Sequence, residues 1–171
     1  MNKIILTALV FFLFGATVWG QNDNILEGYW KSVSDVQGQE GQITGIWKFR
    51  LTAQGDIQGV LIAAKGADST TTYTCQKQEF QGLPILGYPW IKGLKPLGPD
   101  QWGNGTIVDI QNPQGNVYGF QVQLEQGGTV LKCRGYLGLS IFGRTQTWLA
   151  ASPSDVSYYT SLWAHSRPSQ S

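Results

Sequence analysis

The sequence predicts an all-β domain of about eight to nine short antiparallel strands, and three observations carry that prediction. The first is composition. Of 171 residues only 13% are charged, while glycine contributes 22 and aromatics 12%. Ordinary domains carry about 25% charge, so both a charge-rich disordered chain and an Ala/Glu/Lys/Leu/Arg helical bundle are excluded. A formal net charge of +1 also argues against nucleic acid as partner, since polyanion binding rests on basic excess. The second observation is apolar/polar alternation with period two in several segments. The third is the Gly, Pro and Asn clusters that cut the chain between them, with no internal repeat, charge block or inter-domain linker. So many strands in one domain need their edges closed or covered, as an up-and-down barrel or a sandwich. Glycines at bends and close approaches favour the barrel.

Taken in order, the chain opens with a secretory leader. Met1-Asn2-Lys3 is a short positive region, Ile4 to Phe14 is apolar apart from Thr7, and Gly15 to Gly20 is a small-residue exit. The apolar run is too short to span a bilayer permanently. Residues 1–20 therefore read as a signal peptide cleaved after Gly20, with Ala16 as the rival site, and the protein as exported, periplasmic or secreted. No cysteine stands at the cleavage region, which disfavours a lipid anchor. Cleavage removes Lys3 and leaves 11 basic against 11 acidic residues. Residues 21–165 form a single domain.

Gly28 to Val33 is the first strand. Ile43, Gly45, Trp47, Phe49 and Leu51 then share one face, with Gln42, Lys48 and Arg50 opposite. A turn at Ala53-Gln54-Gly55-Asp56 leads into Ile57 to Ala63. Thr70 to Gln76, rich in β-forming Thr and Tyr, predicts a further strand. Trp90 to Leu94 and Trp102 to Ile110 follow. Tyr118, Phe120, Val122 and Leu124 alternate with Gly119, Gln121, Gln123 and Glu125, the cleanest half-buried pattern in the chain. Gln126-Gly127-Gly128 makes a hairpin connection to Thr129 to Leu137, and Gly143 to Ala150 is the last strand. Ser154 to Ala164 alone has helical character, with Ser154-Asp155 as cap and Val156, Tyr159 and Trp163 on one face. Residues 166–171 read as a disordered tail.

Two stretches carry a resemblance. Gly28-Tyr29-Trp30 is a G-x-W at the start of the first strand, and it resembles the tripeptide that opens a lipocalin barrel. In that family the Trp packs under an Arg from near the last strand, so the resemblance implies that Gly28, Trp30 and Arg144 close the bottom of a barrel, a cation–π contact of roughly 0.5–2 kcal/mol. Gly87 through Trp148 resembles a family of secreted bacterial proteins known as domain of unknown function 2147. The match rests on Ile91-Lys92-Gly93-Leu94, on Trp102 with Gly105-Thr106-Ile107-Val108-Asp109, on Leu131-Lys132-Cys133-Arg134-Gly135-Tyr136-Leu137-Gly138, and on Phe142-Gly143-Arg144-Thr145-Gln146-Thr147-Trp148. The chain departs from the pattern between Asp109 and Tyr118, two residues longer than usual, and at Cys133, where Val is common. The resemblance implies a lipocalin-like antiparallel up-and-down barrel that binds small apolar ligands, and it supplies no catalytic residues.

The residues themselves offer little chemistry. The single histidine, His165, lies in the C-terminal tail, and no carboxylate pair has an informative spacing. Cys75 and Cys133 form an even pair in an exported chain, so one disulfide is permitted; two buried free thiols satisfy the sequence equally well. Two cysteines and one distant histidine make no metal site. Gly103-Asn104-Gly105-Thr106 does not lead into a helix, so phosphate cradling is disfavoured and no cofactor is expected.

Aromatics make the positive case for a ligand. Trp47, Phe49, Tyr73, Trp90, Trp102, Tyr118, Phe120 and Trp148 either line an apolar pocket or fill a solid barrel. Arg134 and Tyr136 alternate with Leu131, Cys133, Gly135 and Leu137. They face solvent if the leucines point inward, and offer a polar handle to a ligand carboxylate in the inverted register. Asp109 is placed to pair with Arg134 or Arg144. The segment Gly82 to Trp90 is either a mouth loop or a plug. The first expectation is thus an exported, non-enzymatic barrel binding a small hydrophobic or amphiphilic molecule such as a fatty acid. The second is an interaction or inhibitor barrel with a filled core, and the third an envelope enzyme. The sequence carries no signal for the oligomeric state.

Overall fold

The alternating segments become eight strands in the computed structural model, which describes residues 26–138 and 143–164. They are β1 (Gly28–Val33), β2 (Ile43–Leu51), β3 (Ile57–Ala64), β4 (Pro89–Gly98), β5 (Gln101–Val108), β6 (Val117–Glu125), β7 (Val130–Tyr136) and β8 (Gly143–Ala150). Each pairs antiparallel with the next, and β8 returns to β1 through Trp30↔Ala150, Lys31↔Leu149 and Ser32↔Trp148. The sheet is therefore a closed barrel, and closure removes the unpaired edges that a sandwich would leave. The signal peptide assigned to residues 1–20, His165 and the tail 166–171 lie outside the described residues.

One expected strand does not form. Thr70 to Gln76 belongs to the long connection between β3 and β4 and makes a single bridge, Thr72↔Pro84. Asp68 explains part of this: its Oδ1 accepts from the Thr70 amide at 2.8 Å and from the Thr70 and Thr71 hydroxyls. Such local bonds offer the backbone an alternative to a ladder, and a closed barrel has no edge left for another strand. β4 also runs on past Leu94 to Gly98, turning into β5 through Pro99 and Asp100, the latter at φ 57°.

Because successive strands reverse direction, connections 34–42, 65–88 and 109–116 and the one after Tyr136 gather at one end. Connections 52–56, 99–100 and 126–129 gather at the other. The barrel interior near this second end is solid, with Phe49, Ile57, Leu94, Trp102, Leu124 and Leu131 all buried. Glycine makes the packing possible. A Cβ at Gly59 would sit 2.9 Å from Ile91 Cδ1 and 3.1 Å from the Phe49 ring, and one at Gly105 would sit 2.8 Å from Leu94 Cγ. Small faces large across the interior, as small barrels require.

Helix α1 (Pro153–Ala164) packs against the outer wall, its Val156, Tyr159 and Trp163 over Ile46 and Ala63. Its cap is Ser152, two residues before the expected Ser154. Ser152 Oγ accepts from the Asp155 amide at 3.1 Å while Asp155 Oδ2 accepts from the Ser152 amide at 2.8 Å. That is a capping box with Pro153 at the first helical position, where its missing N–H is harmless. The same carboxylate also takes the Lys31 ammonium at 2.9 Å, tying the helix to β1.

Candidate ligand cavity

Above the solid half, the barrel opens into a cavity of about 650 Å³ at the end bearing the long connections. Trp148 is at the centre of its floor. Trp47 stacks on it at 5.3 Å between ring centroids, and Phe120 and Phe49 lean against it at 6.5 and 6.2 Å. Strand alternation places these groups together: Trp47 on β2, Phe120 on β6, Cys133 on β7 and Trp148 on β8 all point inward. Leu61, in register with Trp47, joins the floor, and Tyr118, Ile107, Ala64 and Ile85 continue the wall upward. A shallower depression of about 330 Å³ at the opposite end lies between two turns, lined by Asp100, Leu124 and residues 125–128. It has no aromatic wall, and the larger cavity is the candidate site.

Polar groups occupy the rim. Arg144 and Gln146 stand directly above Trp148 on the inward face of β8. The Arg144 guanidinium forks onto Asp35, with Nε donating to Oδ2 at 2.8 Å and Nη2 donating to Oδ1. Gln146 Nε2 donates to the same carboxylate at 3.3 Å. The bonds from Arg144 hold the Asp35 carboxyl below its ordinary range, and Asp35 in turn holds the guanidinium proton more tightly. Deeper in, Ser32 Oγ bonds Thr44 Oγ1 at 2.9 Å and the Gly45 carbonyl at 3.2 Å, so these hydroxyls are partnered. Asp109 Oδ1 accepts from the Gln111 amide at 3.1 Å. Asp109 therefore makes neither of the ion pairs expected of it, because Asp35 takes Arg144.

The residues that the sequence nominated divide into four groups. Trp47, Tyr118, Phe120 and Trp148 line the cavity. Phe49 and Trp102 share their inward face but lie beneath the floor, as filling. Tyr73 and Trp90 hold the β3–β4 connection instead of lining. Their rings meet edge to face at 5.4 Å, Trp90 Nε1 donates to the Ile85 carbonyl at 2.8 Å, and Tyr73 Oη donates to the Asp109 carbonyl at 3.0 Å. The segment Gly82 to Trp90 is thus both things at once, plug through Leu83 and Leu86 and rim through Ile85. Arg134 faces outward, where Nη1 donates to Thr145 Oγ1 at 2.8 Å. Tyr136 reaches the rim by its position at the end of β7, but its ring covers Gly119 on the outer face, where a Cβ would run into it.

Barrel closure also differs from expectation. Trp30 pairs with Ala150, six residues from Arg144 on β8, which is about 20 Å of strand. Arg144 therefore sits at the mouth and cannot cover Trp30. The Trp30 indole is capped from below by the chain preceding Gly28, donating to the Leu26 carbonyl at 3.1 Å. The disulfide is absent too: Cys75 and Cys133 are free thiols. Cys133 points into the barrel, where burial pushes its thiol well up, and Cys75 lies in the connection beside Lys77 and Gly115. Among the described residues, no cluster of three or more His, Cys, Asp or Glu is arranged to hold a metal ion.

Sequence reasoning passed over Gln146 and Asp35. Gln146 was within reach, because Arg144, Gln146 and Trp148 follow one another at period two. Asp35 lies in a loop, and nothing in the sequence links it to a residue more than a hundred positions away.

A closed eight-stranded antiparallel barrel, solid at one end and open at the other over an aromatic floor, with a C-terminal helix on its wall, is a lipocalin-like architecture. The chain belongs to the bacterial family described as "Uncharacterized protein conserved in bacteria (DUF2147)", whose profile matches residues 28–149. Among solved structures it is similar to "Protein HP1028 from the human pathogen Helicobacter pylori belongs to the lipocalin family". That likeness has a TM-score of 0.65 at 14% identity and covers 78% of this chain and 88% of that one. Comparison with curated proteins finds no match.

Proposed function

We propose that the protein is an exported, non-catalytic binder of a small hydrophobic or amphiphilic molecule, held in the open half of its barrel. The cavity carries this reading: about 650 Å³ above an aromatic floor, with a few polar groups at the rim, is the composition and size of a small-molecule site. The state of the Asp35 carboxylate supports binding over hydrolysis. Asp35 is engaged by Arg144 and Gln146 and held below its ordinary range, which suits it poorly to work as a general base near neutral pH. Export rests on the leader-like composition of residues 1–20; recovery of mature protein beginning at Gln21, or at Thr17 for the rival cut, would support it. An intact N-terminus on all of the protein would overturn it.

The test of binding uses Gly135, which lines the cavity and has open space where a Cβ would go, its nearest neighbour being Tyr118 Cβ at 3.9 Å. Gly135→Phe starts from a strand position whose Cβ meets nothing closer than 3.9 Å and puts a ring on the lining of the cavity. The unaltered protein is expected to bind the uncharged probe N-phenyl-1-naphthylamine saturably. The variant should bind about tenfold or more weakly with its melting temperature unchanged or raised. Equal binding by the two proteins removes the cavity as the site.

A further inference from the structure

Given that reading of the cavity, we infer that its ligand is a compact, ring-containing molecule with no net charge, and not a long acyl chain. Depth is the first reason. Arg144 at the mouth and Trp148 at the floor are four residues apart on one strand, which is at most about 13 Å. A lipid acyl chain occupies about 15 Å, half of a bilayer's hydrocarbon core, before any headgroup is added. The floor offers no way further down. Trp148 and Phe120 are each only 2% exposed and Cys133 and Leu61 3%, and Phe49, Leu94, Trp102 and Leu124 pack the space beneath them.

Breadth is the second reason. A volume of about 650 Å³ within at most about 13 Å of depth is a mean cross-section of about 50 Å². That is wider than one extended chain, and Tyr118, Ile107, Ala64 and Ile85 wall it. A linear chain would leave most of that wall without contacts, and unfilled apolar wall forfeits dispersion energy. A fused ring system fills it. Charge is the third reason. The charged groups on the lining are two cations, Lys65 and Arg144, and two anions, Asp35 and Asp109, and Arg144 already has its carboxylate in Asp35. A fatty acid headgroup seeking Arg144 would have to displace Asp35 and leave it uncompensated. The other cation, Lys65, is solvent-exposed with its ammonium on Gln42 Oε1 at 3.4 Å, where a pair with a carboxylate contributes little. A neutral molecule with one hydroxyl or carbonyl needs no counter-ion and has the second N–H of Gln146 Nε2, beside the one given to Asp35.

Isothermal titration of the full-length protein with 2-naphthol and with palmitate tests the inference. 2-Naphthol should bind, and palmitate about tenfold more weakly or not at all. Palmitate binding as tightly as 2-naphthol overturns the inference while leaving the cavity as the ligand site. Failure of both compounds and of the naphthylamine probe overturns the binding reading itself. Deepening the cavity should reverse the preference. Phe120→Ala, or the gentler Leu61→Ala if the first does not fold, is expected to raise palmitate affinity about tenfold. Unchanged palmitate affinity in a folded variant would overturn depth as the cause of selectivity.

Discussion

At the scale of single residues, Arg144 shows how far a motif reaches. The G-x-W resemblance asks an arginine near the last strand to cover Trp30, and Arg144 is in the last strand, but at its opposite end. What it does there is hold the β1–β2 loop across the mouth through Asp35. With side chains 62% and 38% exposed, this pair is worth under about 1 kcal/mol. Arg144→Ala should therefore lower the melting temperature by no more than about 3 °C. A larger loss would mean that the arginine does close the barrel. Acid acts on the same contact. The Asp35 carboxyl titrates below its ordinary value of 3.8, so its contribution is complete above that value and is lost as pH falls through the lower, folded one.

The cysteines make a second prediction at this scale. Maleimide at neutral pH should label Cys75 in the native protein and reach Cys133 only on unfolding, since thiolate is the reactive form and burial suppresses it. A reductant should leave the melting temperature unchanged. A drop on reduction would restore the disulfide. Alternation put Cys133 on one face with Leu131 and Gly135 and Arg134 on the other, but only the closed barrel decided that the Cys133 face turns inward. The placement of Cys75 was not legible, because a residue outside the ladder has no register.

At the scale of elements, the strands with clean alternation, β2, β6 and β7, were legible almost to their ends. Each buries its inward face and, apart from Ile46 under α1 and Val130, leaves the other face more open, so period and structure coincide. Thr70 to Gln76 misled because β-propensity describes fit to a pleated surface, and here no surface was vacant. Helix α1 was visible through Val156, Tyr159 and Trp163, but its cap is Ser152, a step that the S-x-x-D spacing and Pro153 spell out. Ser152→Ala should cost about 1 kcal/mol, measured by denaturant unfolding. A cost near zero would mean that packing of Trp163 alone holds the helix. Asp155→Asn should cost a similar amount, and the pH dependence has a definite sign. The folded carboxyl titrates at about 2 against 3.8 for the ordinary group, held down by Lys31 and Ser152. Its stabilisation is therefore complete above pH 4 and disappears as pH falls toward 2.

For the whole molecule, the two halves of the barrel should respond oppositely to mutation. Trp102→Ala in the solid half is expected to cost about 3–5 kcal/mol, the range for truncating a buried aromatic, with ligand affinity unchanged if the protein folds. Gly135→Phe in the open half should spare stability and abolish binding. Loss of binding in a folded Trp102 variant would show that the solid half also belongs to the site. The sequence by itself determined the all-β class, most strand positions and which residues of a strand share a side of the sheet. Those follow from local period and turn chemistry, which act over a few residues. Only the tertiary structure decided which inward aromatics line and which fill. Trp47 and Phe49 share a face two residues apart, yet one borders the cavity and the other lies beneath its floor. Alternation assigns a side chain to one side of its strand but says nothing of its height there. Height is set by the register of eight strands around the closed barrel and by which residues, Gly59 and Gly105 among them, leave room for a neighbour.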